Sequence, residues 1–267
     1  MTVSEKFDGS AQMQSCIRIR FCEETDLARI FNFYSEYQHE HVDLRAEDLL
    51  RSSVTTRRVF LAEQPDDVIA MASSSYDYND PRAETENKSW VEIGSTRAPV
   101  PGLGLYPFTI AAQVVHEFFT RPPEEFFFAS IYNNNEAVAA MLSGKVGWEF
   151  FEPEETLIDV SGERENMSKL IWLRANTTTL PHQARLVLET IERFELAGIT
   201  SKKTGDNFAV DLSDFPLAND LRPMLQELAH GGFGRLAENN APTNMRVLRE
   251  MLDKAMVSGL PAPQHKI

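Results

Sequence analysis

Ile17-Arg18-Ile19-Arg20-Phe21 alternates apolar and charged side chains, the period of a strand with one buried face. Thr25 is placed to cap a helix from Asp26 to about Tyr37, with Ile30, Phe31 and Tyr34 as its apolar stripe and Asp26 near the positive helix end. A second helix is predicted over 45–53. A hairpin follows, with strands at 58–63 and 68–75 joined by Gln64-Pro65-Asp66-Asp67. The polar stretch 76–88 opens with Tyr76-Asp77-Tyr78-Asn79-Asp80-Pro81 and reads as a surface loop.

Trp90 to Thr96 is the next strand, and it runs into a segment rich in proline and glycine, 97–107. From Phe108 to Thr120 the apolar residues Ile110, Ala111, Val114, Val115 and Phe118 fall at helical spacing. Phe126 to Ile131 has strand length, and Asn133-Asn134-Asn135 then caps a helix over 136–142. Two more strands are expected at 148–160 and 167–173, joined by a charged connection at 161–166. After Asn176 the character changes. An amphipathic helix over 181–196 carries Ala184, Val187, Leu188, Ile191 and Phe194 and stops at Gly198. A short strand at 208–212 and helices at about 221–230 and 245–257 complete the pattern. Three regions are therefore expected: a flexible tail at 1–15, a domain at 16–176 and a mainly helical region at 177–267. Gly231-Gly232-Phe233-Gly234 reads as a flexible connection within the last.

Composition fits a globular chain, with 42% hydrophobic and 25% charged residues over 267 positions. The net charge of −14 opposes phosphate backbones and anionic bilayers, so nucleic acid and membrane are not expected partners, and a cationic substrate is favoured. No stretch reaches the length of a membrane span, and the polar residues 1–15 do not form a signal peptide, so a cytoplasmic address is expected. Cys16 and Cys22 lie six apart in one predicted strand, roughly 20 Å from each other, too far for a disulfide. They read as buried thiols of a reducing compartment. His39 and His41 flank Glu40 near Asp43, but no third spaced ligand follows, and no metal is expected.

The chemistry concentrates after the strand at 90–96. Gly102-Leu103-Gly104 lets the backbone turn and brings N–H groups toward a ligand, and the following helix adds unpaired N–H groups. Pro107 suits the first turn of that helix. Such a unit suits a pyrophosphate, although Gly-x-Gly alone also serves as a plain strand-to-helix turn. No Gly-Lys-Ser/Thr is present, and Pro107 stands where a dinucleotide fingerprint needs a third glycine.

Three stretches, taken in order, resemble the GNAT acyltransferases over about two thirds of the chain. They are Val91-Glu92-Ile93-Gly94-Ser95, the Gly102-Leu103-Gly104 loop, and Asn135 through Lys145-Val146-Gly147-Trp148. The resemblance implies an α+β fold, with a mixed, mostly antiparallel central sheet flanked by helices and a smaller, mainly helical C-terminal region added. It implies acetyl-CoA or another acyl-CoA as cosubstrate, bound by Thr96, Arg97, Ala98, Gly102, Leu103, Gly104, Leu105, Tyr106 and Asn135. The sequence departs from the family pattern in places. Pro99 or Pro101 stands at the loop head where the family has Arg or Gln, and Ser143 or Leu142 occupies the position of a tyrosine acid. Family spacing back from Gly147 lands on Glu136 rather than Asn135.

Acyl transfer to an amine requires a neutral amine held beside a thioester, donors for the carbonyl oxygen and a base. Glu92 is the expected base, its pKa raised by burial between Val91 and Ile93; the competing reading is a strand glutamate facing solvent or paired with an arginine. Ser143 is the candidate proton donor to the leaving thiolate. Arg97 would meet a phosphate or an acidic substrate group, or else form a surface ion pair. The leading function is an acyl-CoA-dependent N-acyltransferase acting on a small-molecule amine, with room for a homodimer. The alternatives are a catalytically silent acyl-CoA- or protein-binding module, and an acyl-carrier-protein-dependent acyltransferase whose carrier would dock on Lys202-Lys203.

Overall fold

The computed structural model describes residues 15–37, 46–79, 89–120, 126–175 and 179–231. Strand β1 (Cys16–Phe21) is followed by helices α1 (Leu27–Glu36) and α2 (Glu47–Thr55). The hairpin β2 (Val59–Gln64) and β3 (Val68–Asn79) comes next, then β4 (Ser89–Arg97), α3 (Tyr106–Thr120) and β5 (Phe126–Tyr132). Helix α4 (Glu136–Met141) runs into a wider turn over 142–146, followed by β6 (Glu149–Phe150), α5 (Glu155–Ser161) and β7 (Leu170–Ala175). The last described elements are α6 (Leu180–Ala197), β8 (Ile199–Thr200), β9 (Asn207–Asp211) and α7 (Arg222–Ala229).

The strands form one nine-stranded sheet in the order β6-β7-β5-β4-β3-β2-β1-β9-β8. Only β4–β5 and β1–β9 pair parallel, and the other neighbours pair antiparallel. The sheet is mixed and mostly antiparallel, as expected. The segment after Ala175 adds β8 and β9 to the same sheet and lays α6 on α3, where the Phe108 and Phe194 rings meet at 5.3 Å.

Strand periodicity sorts side chains between two cores. Ile17, Ile19, Val91, Ile93, Phe127 and Ala129 face α3, α4, α6 and α7. Trp90, Tyr76, Tyr78, Phe128 and Trp172 face α1, α2 and α5. Glu92 follows Trp90 in phase and so lies on the α1–α2–α5 face. Burial on both faces explains why β2, β4 and β5 read as near-continuous apolar runs.

Several expectations need correction. Strand β3 continues to Asn79 because Tyr76 and Tyr78 turn inward and are buried, so the loop predicted from Tyr76 starts later, and 80–88 lie outside the described residues. The strand expected over 148–160 is two residues of β6 followed by helix α5. Pro153 cannot donate to a ladder, and Leu157 and Ile158 bury one helical face. Strand β7 begins at Leu170, after a tight helical turn over 164–169. The first helix is introduced not by Thr25 but by Asp26, whose carboxylate accepts the Glu23 N–H at 2.8 Å and two bonds from Arg20, at 2.6 and 2.8 Å. Residues 1–14, the His39–His41 pair, 232–234 and the predicted helix at 245–257 lie outside the described residues.

Among the described residues no helix is long and apolar enough to cross a membrane. Cys16 and Cys22 are both free, and burial pushes the Cys22 thiol up to about 12. At pH 8, Cys22 is therefore expected to resist a thiol-specific chromophoric reagent in the native protein and to react once denaturant is added. Arg58 ties the start of β2 to α3 and β3, donating from Nε to Glu117 at 2.8 Å and pairing with Asp77. Arg58 and Glu117 are both nearly inaccessible. Arg58→Met leaves the Glu117 carboxylate buried without this partner and should lower the unfolding free energy by about 3–5 kcal/mol in a urea titration.

Candidate active site

The parallel ladder between β4 and β5 pairs Trp90 with Phe126, Val91 with Phe127 and Glu92 with Phe128, and then ends. Both strands continue, β4 to Arg97 and β5 to Tyr132, without bonding each other. On its other side, β4 advances three residues from Gly94 to Arg97 while β3 advances two, from Ser74 to Ala72. This bulge is centred on Ser95, a non-glycine residue at φ +47°. Bulges bend a strand and sharpen its twist, and residues held in the left-handed region concentrate at functional sites. The outcome is a fork in the sheet.

The fork opens a narrow cleft of about 60 Å³ between Glu92 and Gly94–Thr96 on one side and Ala129–Tyr132 on the other. Tyr106 and Ile110 of α3 and Asn135, Val138 and Leu142 around α4 wall it, with Glu163 and Leu170 beyond. Glu92 is 3% exposed. The Tyr78 hydroxyl donates to its Oε2 at 2.8 Å and the Ser130 hydroxyl to its Oε1 at 3.2 Å. The solvent-facing reading of Glu92 therefore does not hold. Two hydroxyl donors fix the carboxylate at the base of the fork.

Three polar side chains of the cleft, those of Glu163, Ser130 and Tyr132, were not anticipated. Glu163, 2% exposed, places a second carboxylate in the cleft and accepts from Asn166 Nδ2 at 3.3 Å. It sits in a charged run that reads as a solvated face, so the sequence holds no signal for it. Ser130 and Tyr132 could have been found: they end a strand parallel to that of Glu92, and ligands gather at the carboxyl ends of parallel strands.

The expected site residues divide by location. Thr96 lines the cleft, bonds the Ser73 hydroxyl at 2.7 Å and holds the Tyr106 phenol. Burial pushes that phenol above its ordinary range, and the bond to Thr96 opposes the shift only in part. Asn135 lines the cleft at the start of α4, where its carbonyl accepts from Val138 at 3.1 Å and Ala139 at 3.3 Å. Ser143 falls one residue outside the wall: Leu142 faces in, and the Ser143 hydroxyl donates back to the Ala140 carbonyl at 3.4 Å. Arg97 donates from Nε to the Tyr37 carbonyl at 2.6 Å, at the end of α1.

The two glycines of the loop serve different ends. Gly102 has φ +87°, its carbonyl accepts the Lys202 N–H at 2.8 Å, and a Cβ there would come within 2.9 Å of both N and Cβ of Lys203. Its missing side chain makes room for the chain's own β8–β9 turn. Gly104 has φ +69°, and a Cβ there would meet nothing within 4 Å. Leu103 and Leu105 bury their side chains in the core, so only their main chain can face a ligand. Thr109 N–H bonds the Leu105 carbonyl at 2.8 Å, and Pro107 has no N–H, so the Tyr106 and Phe108 amides begin the helix without an intrahelical acceptor. A second hollow of about 420 Å³, open to solvent, runs along Ala98 and Val100–Tyr106. Tyr106 borders both hollows and joins the glycine loop to the fork.

No protein-family model matches the sequence, and no curated protein does. Among solved structures the chain is similar to Arabidopsis thaliana NAA60 in complex with acetyl-CoA, at 10% identity over 60% of this chain and 97% of that one, with a TM-score of 0.42. It is similar to an N-acetyltransferase from Staphylococcus aureus Mu50, at 12% identity over 60% and 97% with a TM-score of 0.41. It is also similar to apo FdhC, described as a nucleotide-linked sugar GNAT, at 11% identity over 66% and 93% with a TM-score of 0.41. Likeness at this level concerns the outline of the fold and carries nothing about the site.

The different packing of the two glycines is testable by thermal unfolding. Gly102→Ala adds a clash with the Lys203 backbone to the cost of a left-handed alanine, roughly 1–2 kcal/mol by itself. Gly104→Ala carries only the latter. The midpoint of Gly102→Ala should fall clearly below that of Gly104→Ala.

Proposed function

We propose that this chain is an acyl-CoA-dependent N-acyltransferase, with acetyl-CoA as the expected donor and a small-molecule amine as acceptor. One observation carries the reading: a buried carboxylate, Glu92, stands at the fork of β4 and β5, and Tyr106 lines both the cleft there and the glycine-loop hollow. A pyrophosphate on the Gly104–Phe108 amides would leave the pantetheine arm to run past Tyr106 into the fork. That path ends beside Glu92.

The chemistry follows from this placement. Glu92, directly or through one water, takes a proton from the acceptor ammonium. The freed lone pair adds to the thioester carbonyl carbon, and we assign the developing oxyanion to main-chain N–H groups at the Ser95 bulge. Collapse of the tetrahedral adduct breaks the C–S bond, and the nitrogen loses its remaining extra proton. The thiolate leaves and takes up a proton. We assign that proton to Tyr106 or Tyr132, both of which line the cleft, whereas Ser143 is turned to the Ala140 carbonyl. Burial keeps the Tyr106 phenol protonated at neutral pH. Glu163 and the net charge of −14 favour an acceptor that arrives as a cation.

Incubation with acetyl-CoA and a panel of primary amines should release free thiol in proportion to acylated amine. Glu92→Gln keeps one acceptor oxygen and turns an amide N–H toward the other of the Tyr78 and Ser130 hydroxyls, which can rotate to accept it, so the thermal midpoint should be kept. The substitution should lower kcat/KM by about 10²–10⁴-fold. Unchanged turnover in a folded variant would remove Glu92 as the base. Acetyl-CoA binding without thiol release for any amine would instead support a silent binding module.

A further inference from the structure

We infer that Lys202 and Lys203, from the turn between β8 and β9, supply the cationic contacts to the phosphates of the coenzyme A cosubstrate. The inference rests on the acyl-CoA reading above and adds the C-terminal region to the binding site.

The loop between β4 and α3 has the right main chain for a phosphate but little charge. Ala98-Pro99-Val100-Pro101-Gly102-Leu103-Gly104-Leu105 contains no cation, and Pro99 and Pro101 lack even an N–H. Arg97, just before it, is committed to the Tyr37 carbonyl. Coenzyme A carries a pyrophosphate and a ribose phosphate monoester, and the chain as a whole repels both, with its net charge of −14. Main-chain amides alone would have to offset that field.

The β8–β9 turn brings charge to this place. Lys202 N–H donates to the Gly102 carbonyl at 2.8 Å, and the Lys203 backbone lies so close to Gly102 that no Cβ fits between them. The turn is held internally. Ser201 N–H bonds the Asp206 carbonyl at 2.8 Å, Gly205 N–H bonds the Ser201 carbonyl at 2.8 Å, and the buried Ser201 hydroxyl accepts from Lys203 and Thr204 at 3.3 and 3.2 Å. Both lysine stems thus start against the glycine loop from a fixed backbone, with exposed side chains. Gly104 lies two residues further on, at most about 7 Å along the chain. A lysine reaches about 6 Å from its Cα, with an ammonium suited to phosphate as a compact point charge. The space over Gly104, where a Cβ would meet no atom within 4 Å, lies on the same loop, on which the lysine turn packs.

The test compares wild type with Lys202→Gln/Lys203→Gln, which retains the main-chain bond to Gly102; matching thermal midpoints establish that the fold is kept. By calorimetry at low salt, the double variant should bind acetyl-CoA about tenfold or more weakly, with the difference shrinking as salt is raised. KM for S-acetylpantetheine, which has no phosphate, should stay the same. Dephospho-coenzyme A tells the two phosphates apart: a defect that vanishes with it assigns the lysines to the ribose phosphate, and one that persists assigns them to the pyrophosphate. Equal acetyl-CoA affinity in both proteins, or an equal loss with S-acetylpantetheine, would overturn the inference while leaving the acyltransferase reading intact. If wild type binds no coenzyme A compound, that reading fails and the lysine assignment falls with it. Should the double variant misfold, Lys203→Glu alone serves, with a larger salt-dependent loss expected.

Discussion

The site depends on a single interruption: two parallel strands that pair through Glu92 and Phe128 and then stop. A sheet saturates its backbone by pairing, so an open gap inside it persists only where other elements support both banks. Here the Ser95 bulge turns β4 aside while β3 still holds it. Strand β5 stays in register with β7 from Phe127 to Tyr132. The gap is therefore rigid on both sides. It lies in the middle of a nine-stranded sheet, with packed side chains above and below.

That rigidity shapes the chemistry. Tyr78 on β3 and Ser130 on β5 grip Glu92 from opposite banks of the fork, so the carboxylate position is set by the strands themselves. The Thr96 hydroxyl similarly links Ser73 of β3 to Tyr106 at the start of α3. Groups held by strands and by a helix end need little reorganisation when a substrate arrives, the condition under which proximity and fixed dipoles contribute most to a rate.

How far the sequence revealed all this varied by element. The strand at 90–96, the glycine turn and the helix after it were readable because alternation, glycine and helical spacing succeed one another without ambiguity. Glu92 was readable because it interrupts an apolar run. The end of β3 was hidden because Tyr76-Asp77-Tyr78-Asn79 combines strand aromatics with turn formers, and only burial of the two tyrosines decides between them. Helix α5 was hidden because Leu157-Ile158 next to Val160 fits either period over so short a run. Glu163 and the approach of Lys203 to Gly102 are products of tertiary packing, which no local pattern encodes. Arg97 shows the converse: the residue was prominent in the sequence, but strand parity turned its guanidinium to the other face.

The docking of Gly102 against Lys203 has a consequence for how the molecule comes to exist. A loop whose geometry depends on a turn about a hundred positions downstream cannot be completed while the nascent chain is still short; it waits for the β8–β9 turn to leave the ribosome. Until then the newly made protein has a fork but no finished glycine loop: the order of synthesis puts the bank of the cleft before the loop that flanks it.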